Sequence, residues 1–135
     1  MSYPIQEIQG IGPNYAGKLK GIGIDTVSKL LQDGSLKSGR SRIAESTGIP
    51  ETLILTWVNH ADLMRLNGVG DQFAELLEAA GVDTVKELRN RNAENLYAKV
   101  TELNQLKNLS GRAPSLSEIQ SMIDQARDLE PAVAY

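Results

Sequence analysis

Apolar residues along the chain recur at intervals of three and four, and the alternation of a half-buried strand is nearly missing, so the pattern predicts an all-α fold. A short turn is expected at 5–8, a tight hairpin at 10–12 and a helix over 13–20. Pro13 suits the first helical position, where its missing N–H costs nothing. Residues 21–24 end that helix, and Asp25 is read as the N-cap of the next, over 26–32, because its carboxylate can accept first-turn N–H groups. Asp83 repeats the device. A Ser/Gly-rich link, "DGSLKSGRSR" at 33–42, precedes a short helix over 40–47, a turn at 48–50 and a longer helix over 51–63. Leu53, Ile54, Trp57, Val58 and Ala61 form the apolar stripe of that last helix. Later helices are predicted at 71–80, 84–91, 93–106 and 115–130, and "SLSE" at 115–118 has capping-box spacing. Ala93, Leu96, Val100 and Leu103 form one face, and Ile119, Ile123, Ala126 and Leu129 another.

The chain repeats itself. "IQGIGPNYAGKLKGIGIDTVSKL" at 8–30 and "LNGVGDQFAELLEAAGVDTVKEL" at 66–88 align with an offset of 58 and share nine residues. These include Gly10 with Gly68, Gly12 with Gly70, Ala16 with Ala74, Gly23 with Gly81 and Asp25 with Asp83. "WVNHADL" at 57–63 parallels "IDQARDL" at 123–129 with an offset of 66, so the second copy carries 8 extra residues, placed by this reading in the "LSGRAPS" loop at 109–115. The expected organisation is two tandem modules, 1–63 and 64–135. Modules this small bury little surface, so each is expected to need the other or a partner.

Composition narrows the function. Apolar residues make up 41% of the chain without any run long enough to cross a membrane, and no signal-peptide pattern opens it, so a soluble cytoplasmic protein is expected. Cysteine is absent, which removes disulfides, thiol catalysis and Cys-based metal sites, and His60 is the sole histidine. No metal, cofactor or small-molecule substrate is therefore expected. No nucleophile, base and orienting group stand together, so catalysis is not expected either. "GIGPNY" lacks the third glycine of a dinucleotide fingerprint, and "GKL" at 17–19 lacks the spacing of a P-loop.

Net charge is -3, too acidic for a protein that coats nucleic acid by bulk electrostatics. Its distribution is uneven. Residues 8–42 hold six bases against two acids, a local charge of +4, whereas residues 64–135 hold eight bases against eleven acids.

Both copies carry the pattern Gly, apolar, Gly before a helix. The two glycines admit positive φ, the central Ile11 or Val69 can plug the gap between helices, and Ala16 or Ala74 allows close approach. Such a turn also aims backbone N–H groups outward at the positive end of a helix dipole, where an anion fits. In the link, Lys37, Arg40 and Arg42 are candidates to follow a nucleic-acid backbone.

The 8–30 stretch resembles the helix-hairpin-helix motif. Followed by "SRIAESTGIPETLILTWVNHADL", it resembles the paired helix-hairpin-helix domain at the N-terminus of archaeal and eukaryotic RecA-like recombinases. In layout it is similar to the C-terminal domain of the bacterial RNA polymerase alpha subunit, and closest to bacterial proteins built from duplicated modules of this kind. The resemblance implies two tandem (helix-hairpin-helix)2-like modules and a hairpin that grips a DNA phosphate across the minor groove without reading sequence. Carried over, Gly10, Ile11 and Gly12 form the hairpin, Asn14 offers an early helix N–H, and Lys18 and Lys20 supply charge. The family's second hairpin falls at 47–49 and departs from the pattern, with Pro50 in place of glycine and Glu45 and Glu51 beside it. In the second copy Asp71, Glu75 and Glu78 place carboxylates where a phosphate belongs. The sequence therefore supports two readings: a weak, non-specific DNA binder working through the first module, or a scaffold that holds a protein partner through its acidic second module.

Overall fold

The computed structural model describes residues 3–135; the first two residues of the 1–63 module lie outside them. Among the described residues the chain is all-helical, with one 3-10 turn and eight α-helices. It divides into two compact units, Met1–Asp62 with Ala132–Tyr135, and Leu63–Pro131. None of the described helices is long and apolar enough to cross a membrane.

In the first unit the 3-10 turn Ile5–Glu7 is followed by α1 (Pro13–Gly21), α2 (Val27–Gly34), α3 (Lys37–Thr47) and α4 (Glu51–Leu63). Pro13 occupies the first position of α1, as its fixed φ favours. The α2 cap is displaced from the expected residue. Thr26 is the N-cap, its Oγ1 accepting from the Lys29 N–H at 3.1 Å, and not Asp25. The reason is local pairing: the Asp25 carbonyl accepts from the Ile5 N–H at 3.0 Å, beside an isolated bridge between Pro4 and Thr26, so residue 25 belongs to an extended segment.

The link at 33–42 is shorter than expected, because α3 already begins at Lys37. Its glycines serve close packing and not flexibility. A Cβ at Gly39 would lie 2.0 Å from the Asp33 carbonyl oxygen, and one at Gly34 would lie 2.6 Å from Val58 Cγ2. Trp57, 1% exposed, anchors the core and meets Tyr15 edge-on with ring centroids 5.2 Å apart. Ile54, Val58 and Ala61 share its burial, while Leu53 is half-buried.

The second unit repeats the order with α5 (Asp71–Ala79), α6 (Val85–Leu88), α7 (Ala93–Lys107) and α8 (Leu116–Asp128). Thr84, not Asp83, caps α6, accepting from the Glu87 N–H at 3.4 Å. Helix α6 stops at Leu88 because the next N–H groups, of Asn90 and Arg91, bond only three residues back before Asn92 caps α7. Ser115 and Glu118 form the expected capping box at α8, which buries Ile119, Met122, Ile123 and Ala126. The extra residues of this copy are not confined to the 109–115 loop. Helix α7 has 15 residues where α3 has 11, and it ends on Asn108 with φ 51°.

Candidate functional site

The turn before α1 is built from three residues with three different tasks. Gly10 has φ 94°, in the left-handed region, which a side chain disfavours. Ile11 donates its N–H to the Ile8 carbonyl at 3.1 Å and buries its side chain, 4% exposed, in the core. Gly12 is the α1 N-cap, with φ -79° and ψ -177°. This corrects the expectation that both glycines supply positive φ: only the first does, in each copy, since Gly68 has φ 87° and Gly70 is an extended N-cap. A Cβ at Gly12 would meet nothing within 4 Å. Neither backbone conformation nor packing within the protein demands glycine there.

Because Gly12 has no side chain, α1 starts without a side-chain cap, as do α3 at Leu36 and α5 at Gly70, whereas Thr26, Thr84, Asn92 and Ser115 cap α2, α6, α7 and α8. The first intrahelical bond runs from the Ala16 N–H to the Gly12 carbonyl at 2.9 Å. Helix geometry gives the N–H groups of Asn14 and Tyr15 no partner inside the helix, and Pro13 has none to offer. These two donors, with the positive end of the helix dipole, face an exposed surface made by Gly12, Pro13 and Asn14. Lys18 and Lys20 are exposed on the last turn of α1. At about 100° per residue they stand about 160° apart around the helix axis, flanking a strip made of Pro13, Gly17 and Gly21. Asn14 and Lys18 share one edge of that strip. Gly10, Ile11, Gly12, Asn14, Lys18 and Lys20 are thus assembled on one short helix and the turn before it.

The three bases of the link are not assembled with them. Arg40 is 3% exposed. Its Nη1 donates to the carbonyls of Gly34 at 2.8 Å and Ser35 at 3.2 Å, and its Nη2 donates to the Ala134 carbonyl at 2.7 Å. Arg40 is therefore a clamp inside the first unit, which corrects its place among the candidate DNA contacts. Lys37 is exposed on a groove it shares with Glu51, Thr52, Leu55 and Tyr135. Arg42 is exposed beside Ile22, Asp33 and Ser46. Lys29 is paired with Asp33 at 3.4 Å. At 47–49 the chain makes a related turn, with Gly48 at φ 75° and Ile49 buried. There Glu51 opens the following helix and accepts from Ser41 Oγ at 3.1 Å, so a carboxylate stands at that helix start.

In the second unit the turn has the same backbone and a different surface. Asp71 opens α5, and Val69 takes the buried place of Ile11. The loop after α7 folds onto the first turn of α5: Gln72 Oε1 accepts from Ser110 Oγ and from the Gly111 N–H, each at 3.2 Å. Arg112 lies over the Phe73 ring, 5.2 Å from its centroid, and forks onto both carboxylate oxygens of Glu118 at 2.7 and 2.9 Å. The Arg112 hydrogen bond, helped by the Ser115 N–H, holds the Glu118 carboxyl down to about 2. This covering was missed in the sequence, although the extra residues marked the place where it arises.

No curated protein and no solved structure matches the chain. The sequence model of one family, described as "Domain of unknown function (DUF4332)", matches residues 9–129, which takes in the turns and helices of both copies, and the chain belongs to that family.

Proposed function

We propose that the first unit is a non-catalytic helix-hairpin-helix module that binds the DNA backbone without sequence preference. The observation that carries this reading is the start of α1, a side-chain-free and uncapped helix N-terminus on an exposed surface, with Lys18 and Lys20 on the last turn flanking the strip that runs back to it. A phosphate oxygen accepts from the Asn14 and Tyr15 N–H groups, and the strip of Pro13, Gly17 and Gly21 lets the sugar-phosphate chain approach the helix closely. The second unit does not share the role, since Asp71 opens its helix and its own loop is tied to the Gln72 side chain beside that start.

The test is a salt titration of a labelled duplex with the full chain. About 3 to 4 phosphate contacts give a log-affinity against log-salt slope near -3. Reversing Lys18 and Lys20 to Glu removes binding, and Gly12→Val weakens it while leaving the fold intact. Absence of binding at low salt, or binding indifferent to these variants, refutes the proposal.

A further inference from the structure

The second unit, net acidic overall, contains a groove of about 580 Å³ walled by Arg89, Asn90, Arg91, Asn92, Gln120 and Arg127. The arginines come from the end of α6, the connection to α7 and the end of α8. Two of the guanidinium groups are anchored through one nitrogen each. Arg89 Nη2 donates to the carbonyls of Ala126 and Leu129 at the end of α8. Arg91 Nη2 donates to the Ala80 carbonyl at 3.4 Å, just beyond α5. Arg127 lies 3.6 Å from Asp124, an exposed pair of small worth that a stronger anion can displace. Asp124 also accepts from Gln120 Nε2 at 2.9 Å.

The offset of 58 sets Leu31 and Asp33, inside α2, opposite Arg89 and Arg91, and the offset of 66 sets Ala61 opposite Arg127, so the cluster belongs to the second copy alone. We propose that this groove is a phosphate-binding site, distinct from the turn of either copy. A guanidinium carries five donors in a planar fork matched to phosphate, and anchoring one nitrogen holds the rest without the entropy cost of ordering a free side chain. Asn90, Asn92 and Gln120 add neutral donors on the same wall. The groove offers no aromatic surface for a base and little apolar wall for a peptide anchor, so a phosphate is the chemistry it fits. Its source is either a small phosphate compound or the phosphodiester backbone of a nucleic acid.

The test titrates the isotope-labelled full chain with sodium pyrophosphate and with an oligothymidylate, against sodium chloride at matched ionic strength. The readout is the NMR shifts of the Asn90, Asn92 and Gln120 side-chain amides and the arginine Nε–H groups. Saturable shifts confined to this groove are expected, weakened about tenfold or more in Arg91→Gln with Arg127→Gln, and weakened also in Arg127→Gln alone, where no backbone carbonyl loses a donor. Tighter binding of the oligonucleotide assigns the site to a backbone, and equal or tighter binding of pyrophosphate assigns it to a small phosphate compound. Shifts no larger than those with chloride, shifts unchanged by both variants, or shifts abolished by reversing Lys18 and Lys20 overturn the proposal. Because it uses no residue of the α1 turn, it stands or falls separately from the DNA reading of the first unit.

Discussion

Of the three bases at 37, 40 and 42, Arg40 is the one whose charge is least available to a ligand and whose loss costs the first unit most. Replacing it with Met removes the donors that satisfy the carbonyls of Gly34, Ser35 and Ala134 while keeping an unbranched apolar stem in place. Gly34 is buried, and a buried carbonyl left without a donor costs about 1–3 kcal/mol. The Ser35 carbonyl keeps the Ala134 N–H as a donor at 2.8 Å, and Ala134 is exposed, so that water replaces what its carbonyl loses. The new side chain regains some stability because a guanidinium no longer has to be desolvated. The balance is a destabilisation of about 2 kcal/mol, dominated by Gly34.

Trp57, the single tryptophan, is buried in the first unit and reports on it by fluorescence during urea unfolding. With a slope of about 1–2 kcal/mol/M for a small unit, the midpoint of Arg40→Met falls by about 1–2 M at unchanged slope. Arg42→Met, an exposed neighbour, serves as the control and leaves the midpoint in place. Removing residues 132–135 deletes the carbonyl that accepts from Arg40 Nη2, so this truncation and Arg40→Met share one interaction and together cost less than their sum. A midpoint for Arg40→Met within about 0.3 M of the parent, where 2 kcal/mol requires at least 1 M, refutes the clamp.

Two further predictions follow from the turns and the loop. Gly10→Ala and Gly68→Ala each cost about 1–2 kcal/mol, because both sites hold positive φ, while Gly12→Ala changes thermal stability by under about 0.5 kcal/mol; equal losses at positions 10 and 12 contradict the division of labour within the turn. The Glu118 carboxyl is depressed in the folded chain, so its contribution is present above the ordinary carboxylate range and is lost as pH falls through about 2. In Arg112→Gln the Glu118 titration, followed by NMR, moves up toward the ordinary value, and an unmoved titration counts against the Arg112 fork as its cause.

Much of the fold was legible because duplication and helical periodicity are properties of sequence alone: nine shared residues located two helix starts, two turns and the order of elements. What escaped depended on partners distant in the chain. Asp25 has good N-cap chemistry, but its carbonyl pairs with Ile5, and that choice shifts the cap to Thr26. The glycines of "DGSLKSGRSR" read as flexible because glycine serves both mobility and contact, and only the Asp33 carbonyl beside Gly39 decides between them. Arg40 reads as surface charge because its three acceptors are backbone carbonyls, which carry no signature in the sequence. The arginine groove was hidden for the opposite reason, since an average charge over residues 64–135 conceals a cluster of one sign.

The duplicated turns also show which features can serve as evidence for binding. Gly10 and Gly68 hold nearly the same φ, and Ile11 and Val69 fill equivalent buried places, although the second copy begins its helix with a carboxylate. The positive-φ glycine and the buried apolar residue after it are therefore demanded by the fold, and their presence says little about a ligand. The informative positions are those that face outward and differ. From α1 to α5, Pro13 becomes Asp71, Gly17 becomes Glu75, Lys20 becomes Glu78, and Lys18 becomes Leu76, which is fully buried. One helix thus presents a smooth strip flanked by two lysines, and its copy carries three carboxylates and a loop tied to Gln72, Phe73 and Glu118. Restoring an anion site to the second copy requires more than Asp71→Pro, because the carboxylates at 75 and 78 and the loop bound to Gln72 oppose the ligand independently.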